Sequence, residues 1–236
     1  MFSPQGPTAR ELAVQAMSSV EHGYDLLAPT FDRTPFRTPE PVLDATGRAL
    51  ARLGPFGAGL DLCCGTGAGI GVLRRACAGP VTGVDLSAGM LSRARQEQPG
   101  ARWVRADARA LPFEGGFDLA VSFGAFGHFL PTERPALFAG VRRALAPGGL
   151  FAFPVGAPPP PGSAWWWAMA GFDAVMRVRN ALWRPRFVMY YRTFPLSGVR
   201  ADLATAGFSV ETAALEEFGR RADGSPRCRL VLARRS

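Results

Sequence analysis

The chain contains no lysine, a single isoleucine (Ile70), two histidines and four cysteines among 236 residues. With lysine absent, all 27 basic side chains are Arg; against 19 acids they give a net charge of +8 and a pI near 10.5. Such an excess can neutralise phosphates. Total loss of Lys beside 37 Ala, however, points to codon bias as a sufficient cause. The charge is also uneven. Residues 1–60 carry five Arg and six acids, residues 61–160 ten and seven, and residues 161–236 twelve and six. Cys63, Cys64, Cys77 and Cys228 form no C-x-x-C pair and no cluster with His, so neither a metal site nor a disulfide framework is expected, and a reducing cytoplasm is. The N-terminal residues lack a basic and then apolar run, so no signal peptide is expected. Residues 144–172 are uncharged and long enough to span a bilayer, but six Pro and five Gly, with Pro158 to Pro161 in series, exclude one spanning helix. At 47% hydrophobic and 19% charged residues, disorder is excluded as well.

What is present is alternation. Short apolar runs at 59–63, 81–86, 102–107, 117–123, 150–155, 208–215 and 227–233 predict seven strands. Amphipathic patterns at 9–21, 40–53, 69–78, 88–96, 133–145, 163–183 and 196–206 predict the helices between them. This is an α/β arrangement, a mostly parallel sheet covered on both faces, in one domain. The last two strands are joined by a turn-rich link too short for a crossover, so they should pair antiparallel.

The strongest local signal is Gly59-Leu60-Asp61-Leu62-Cys63-Cys64-Gly65-Thr66-Gly67-Ala68-Gly69, an apolar strand with an acid running into a glycine turn and a helix. Without Cβ atoms at Gly65 and Gly67, a ligand can lie against the helix N-terminus. The dinucleotide pattern G-x-G-x-x-G fails here, which argues against NAD. Acids then end successive strands. Asp85 follows Gly65 by twenty residues, where a carboxylate can accept ribose hydroxyls, and Asp107 ends the third strand within reach of an adenine amino group. One acid at a strand end could be a simple helix cap. Two more in register with a glycine turn indicate a nucleotide-type site.

These residues resemble the class I S-adenosylmethionine-dependent methyltransferases, in particular the ubiquinone/menaquinone type and its small-molecule relatives; the likeness covers about 24–155 well. The resemblance implies a Rossmann-like three-layer sandwich, a seven-stranded sheet with an antiparallel last strand and a helical lid. It implies S-adenosylmethionine as cofactor. Asp61, Cys63, Gly65, Thr66 and Gly67 would cradle its methionine part, Asp85 the ribose, Leu86 and Met90 the adenosine, and Asp107 and Ala108 the adenine. Tyr24 and Ser122 complete the expected contacts. Cys63 departs from the commoner Gly or Ala. The implied organisation is a helical cap at 1–55, a cofactor-binding core at 56–155, a lid at 156–194, and a C-terminal helix with a strand pair at 195–236.

The acceptor is expected to be a small, largely apolar or aromatic molecule methylated on oxygen, nitrogen or carbon, a quinone- or lipid-like compound or a specialised metabolite. His128, just past the fourth strand, is the candidate base; a structural histidine is the alternative. Around Asp173, Arg177, Asn180 and Arg184, spaced as one polar stripe, lies an apolar helix that is expected to be buried or to close over the acceptor. Phe123, Phe126, Trp165, Met169, Phe172, Arg177 and Tyr190 are the candidate acceptor contacts. A dimer contact and a peripheral membrane surface are the other readings of this helix, and the chain is expected to be a monomer or homodimer. The rivals are an RNA-modifying enzyme and a non-catalytic cofactor-binding protein. Nucleic acid is not the expected partner: Ser122-Phe123-Gly124-Ala125 stands where base-amine methylating relatives carry Asn/Asp-Pro-Pro-aromatic, and no Pro-Cys pair occurs.

Overall fold

The computed structural model describes residues 6–192 and 194–236. One seven-stranded sheet organises it: β1 (Gly59–Leu62), β2 (Val81–Asp85), β3 (Arg102–Arg105), β4 (Phe117–Ser122), β5 (Leu145–Gly156), β6 (Phe208–Ala214) and β7 (Cys228–Arg235). The strand order is β3-β2-β1-β4-β5-β7-β6. β1 to β5 pair in parallel, while β7 lies antiparallel between β5 and β6. The short link between the last two strands therefore does what its length requires.

The helices are α1 (Ala9–Met17), α2 (Val20–Leu27), α3 (Glu40–Ala51), α4 (Ala68–Ala76), α5 (Ala88–Glu97), α6 (Arg134–Ala144), α7 (Ala164–Leu182) and α8 (Leu196–Thr205). Central strands alternate between two cores, as a period of two demands. Ala120, Phe151, Phe153 and Val231 pack with Leu137, Phe138 and Val141 of α6 and Val199 and Leu203 of α8. Leu119, Val121, Leu150 and Leu230 pack on the other face with Leu43 and Leu50 of α3 and Ile70 and Leu73 of α4. Phe138, Phe151 and Phe153 are fully buried, each worth roughly 1.5–3 kcal/mol.

Two local expectations are corrected. The single helix over 9–21 is two, because Thr8 and Ser19 each cap a separate helix through their side chains. The fifth strand, expected at 150–155, starts earlier: β5 takes in Ala146 to Gly149 as an irregularity, where the register with β4 shifts between Phe117 and Leu119.

Candidate active site

The carboxyl ends of β1, β2 and β4 open on a cavity of about 450 Å³, a size usual for small-ligand sites. It lies where the strand order reverses between β1 and β4, the place where open α/β sheets bind ligands. Asp61, Cys63, Gly65, Thr66, Asp85, Leu86, Met90, Asp107, Ala108, Phe123, His128 and Tyr24 all line it.

The glycine turn is built from three residues in the left-handed region: Cys63 (φ 55°), Gly65 (φ 52°) and Gly67 (φ 90°). Only Cys63 carries the strain of a side chain there. Gly67 lies behind the turn and does not line the cavity; a Cβ on it would come 3.0 Å from the Trp103 ring. Asp61 is 1% exposed, and its Oδ2 has no hydrogen-bond partner among the described residues. Burial, with Asp85 adding to it, pushes this carboxyl well up, against the backbone N–H of Gly69. Its closeness to the start of α4 depends on Gly69, where a Cβ would stand 2.5 Å from Oδ2.

Asp85 braces the turn. Its Oδ2 accepts from Gly65 N at 2.9 Å and its Oδ1 from Ser87 N at 2.9 Å. Burial raises its pKa, and these backbone donors oppose the rise. Asp107 faces the same cavity, but its oxygens accept from Arg109 Nε and Nη2, and Arg109 also reaches Glu133 at 2.6 Å. Burial would raise the Asp107 pKa; the Arg109 hydrogen bonds outweigh it and leave the carboxyl below its ordinary value.

His128 is already committed on both sides. Its Nδ1 lies 2.6 Å from the Val188 carbonyl, an acceptor only, so Nδ1 carries the proton. Nε2 is then left to accept from the Tyr24 hydroxyl at 2.8 Å. Burial lowers the His128 pKa, only partly offset by Val188, so the neutral ring is favoured. Burial and nearby Asp85 raise that of Tyr24.

Several predicted contacts stand elsewhere. Ser122 is buried and donates to Leu62 O at 2.9 Å, tying β4 to β1. Phe126 stacks on Phe194 with ring centroids 4.1 Å apart, inside the core. Trp165, Met169, Phe172, Arg177 and Tyr190 do not line the cavity. Of the polar stripe, Asp173 and Asn180 face inward, while Arg177 and Arg184 are exposed. Asp173 accepts from the backbone N–H groups of Tyr191 and Arg192, and Asn180 exchanges hydrogen bonds with Phe187 N and O. Arg177 lies over the Tyr190 ring, and Arg184 donates back to Asn180 O. The helix is thus neither buried nor folded over the cavity by its apolar side, because its polar side is needed to hold the backbone of 183–192. From that strap, Arg186 and Val188 do reach the cavity.

The structure also brings in residues that no motif announced. Phe31 and Phe36 line the cavity from the loop after α2, while Asp32 accepts from the Thr66 hydroxyl at 2.7 Å. Asp25 accepts from Ser87 Oγ at 2.5 Å and Gly89 N at 2.8 Å, fastening α2 to α5. Only the acids in 1–40 could have hinted at this.

The sheet order, the glycine turn and the strand-end carboxylates around one cavity define the class I methyltransferase fold. Residues 60–149 match the methyltransferase domain family. An uncharacterized methyltransferase of Synechocystis is 42% identical over 94 residues, 39% of this chain and 44% of that protein. Phthiotriol/phenolphthiotriol dimycocerosates methyltransferase of Mycobacterium leprae is 40% identical over 98 residues, 40% and 36% of the two chains. A 2-phytyl-1,4-naphtoquinone methyltransferase of Trichormus variabilis is 38% identical over 96 residues, 37% and 42%. The matched part spans less than half the length of each of these relatives. A solved S-adenosylmethionine dependent methyltransferase from Mesorhizobium loti is 28% identical, covering 82% of this chain and 100% of that one, with a TM-score of 0.56. Residues 60–149 are a methyltransferase domain of the class I S-adenosylmethionine-dependent kind.

Proposed function

We propose that the protein transfers the methyl group of S-adenosylmethionine to a small, largely apolar acceptor of quinone- or lipid-like character, in the cytoplasm. The observation that carries the cofactor assignment is Asp61: a buried carboxylate oxygen without a partner, on the cavity wall beside a glycine turn, suits the cationic methionine end. When bound, the cofactor supplies an activated methyl group and its own leaving group. Asp85, already anchored on its turn side, offers its free lone pairs to the ribose hydroxyls, with Leu86 and Met90 as the adenosine wall. Asp107 serves the adenine amino group through acceptor capacity that Arg109 leaves unused.

On the acceptor side, Phe36, Phe123, Phe129 and Val188 furnish apolar wall, which excludes water, and Arg186 a charge at the rim. Tyr24 Oη takes up the proton released by a hydroxyl or activated carbon while its own passes to His128 Nε2. The Val188 carbonyl, holding Nδ1–H, steadies the imidazolium that results. Apolar acceptors are favoured by this wall, and two matched relatives carry names for lipid-like substrates. The test is incubation of the protein and methyl-labelled cofactor with lipid, polar metabolite and RNA extracts, read by mass spectrometry. A labelled product in the lipid fraction is expected; label confined to RNA, or no label at all, would sink the proposal.

A further inference from the structure

The outer face of α7 is built the wrong way round for a helix in water. Trp165, Trp167, Val175, Val178 and Leu182 are 74, 63, 66, 59 and 80% exposed, and Trp183, just beyond the helix, is 52% exposed. The inward positions hold Asp173 and Asn180. Nineteen residues at 1.5 Å each make this face about 28 Å long. Exposed apolar surface that extensive marks a binding surface. Cations flank it: Arg177, Arg184, Arg186 and Arg192 are exposed, while the single acid of 157–194, Asp173, is buried against the 183–192 backbone.

We propose that this face docks on a bilayer surface containing anionic lipid. The charge decides between occupants. A second copy joined by a two-fold contact would bring together two faces that are each net positive, with no carboxylate to answer them. An anionic bilayer answers the Arg cluster at its headgroups and takes Trp and aliphatic side chains at the acyl boundary. No helix of the described residues is long and apolar enough to cross a membrane, so the contact is interfacial. The strap after Trp183 runs from this face into the cavity wall at Arg186 and Val188. A docked α7 therefore sets the acceptor side of the cavity close to the lipid phase.

The test uses the full chain and co-sedimentation with vesicles of phosphatidylcholine plus phosphatidylglycerol, and of phosphatidylcholine alone. Partitioning to the mixed vesicles is expected, at least ten-fold above the neutral ones at low salt and falling as NaCl is raised. Val175→Glu with Leu182→Glu, both on the outer face, is expected to lower it ten-fold or more. Circular dichroism and S-adenosylhomocysteine binding check that the variant keeps its fold and its cavity. Absence of sedimentation with mixed vesicles, or equal sedimentation of the variant, would overturn the proposal. So would a wild-type dimer in solution that the two substitutions convert to monomer, since a second copy would then own the face. None of these outcomes touches cofactor binding, which is read separately.

Discussion

Asp61 can sit against the start of α4 only because position 69 has no side chain. A Cβ on Gly69 would stand 2.5 Å from the carboxylate, whereas one on Gly71, two residues along the same helix, meets nothing within 4 Å. Gly69→Ala should thus cost ten-fold or more in S-adenosylmethionine affinity by calorimetric titration. Gly71→Ala should leave affinity alone and add roughly 0.5–1 kcal/mol of stability by denaturant titration, the ordinary helix gain of Ala over Gly. The same residues set a pH dependence. Asp61 and Asp85 have raised carboxyl pKa values, so their protonated forms suit the ligand-free fold. Their stability contribution is complete below the ordinary carboxylate range and is lost as pH rises through the raised values. Binding a cation needs the ionised form, so cofactor affinity should fall as pH is lowered, and should begin to fall at a higher pH than an ordinary carboxylate would give. His128 runs the other way: its lowered pKa gives stability above the ordinary histidine range, lost as pH falls below about 6.5. Tyr24→Phe removes the hydroxyl that Nε2 accepts and keeps the ring. Turnover should drop on the order of 100-fold with cofactor affinity within about two-fold; unchanged turnover would make the pair structural.

At the level of elements, most of the architecture was written in period and punctuation. The seven apolar runs became the seven strands, because each is short, β-prone and bounded by turn residues, and the lack of room for a crossover gave β7 its direction. What escaped was the direction in which α7 faces. A polar stripe on an apolar helix ordinarily points to water, and the sequence does not reveal that the backbone just after the helix folds back and needs hydrogen bonds. That strap makes Asn180 decisive: its amide donates to Phe187 O at 3.0 Å and accepts from Phe187 N at 2.9 Å, all buried. Asp173 holds the far end of the strap at Tyr191 N and Arg192 N and His128 its middle at Val188 O, so at Phe187 the polar hold comes from Asn180. Asn180→Ala leaves those backbone groups unpaired, costing about 1–3 kcal/mol locally. Hydrogen exchange should quicken across 183–192 by ten-fold or more while β4 and β5 stay protected. Uniform protection would mean that the strap is held by other contacts. The loop at 28–38 was likewise unreadable, since Phe31 and Phe36 belong to no periodic pattern and reach the cavity only through tertiary folding.

Over the whole molecule, the +8 charge separates into a nearly balanced N-terminal part and an Arg-rich C-terminal third. Much of that Arg is spent inside the fold. Arg179 reaches Ser18 O and Pro185 O, Arg227 donates to Arg220 O, and Arg235 bonds carbonyls at the end of α6. What had the look of a nucleic-acid footprint is for a large part internal hydrogen bonding by a chain that has no Lys to use. The pocket, by contrast, holds its carboxylates in a costly state that a cationic ligand relieves, so ligand and global stability are linked. At one hundred times its dissociation constant a ligand adds about 2.7 kcal/mol, which for a chain of this size raises Tm by roughly 5–10 °C. The most direct measurement is calorimetric titration of S-adenosylhomocysteine into the protein and into Asp85→Asn at pH 7.5. One-to-one binding by the wild type, weakened ten-fold or more in a variant that stays folded by circular dichroism, is the expected result. No binding to the wild type, or equal binding to both proteins, would contradict the assignment of this cavity.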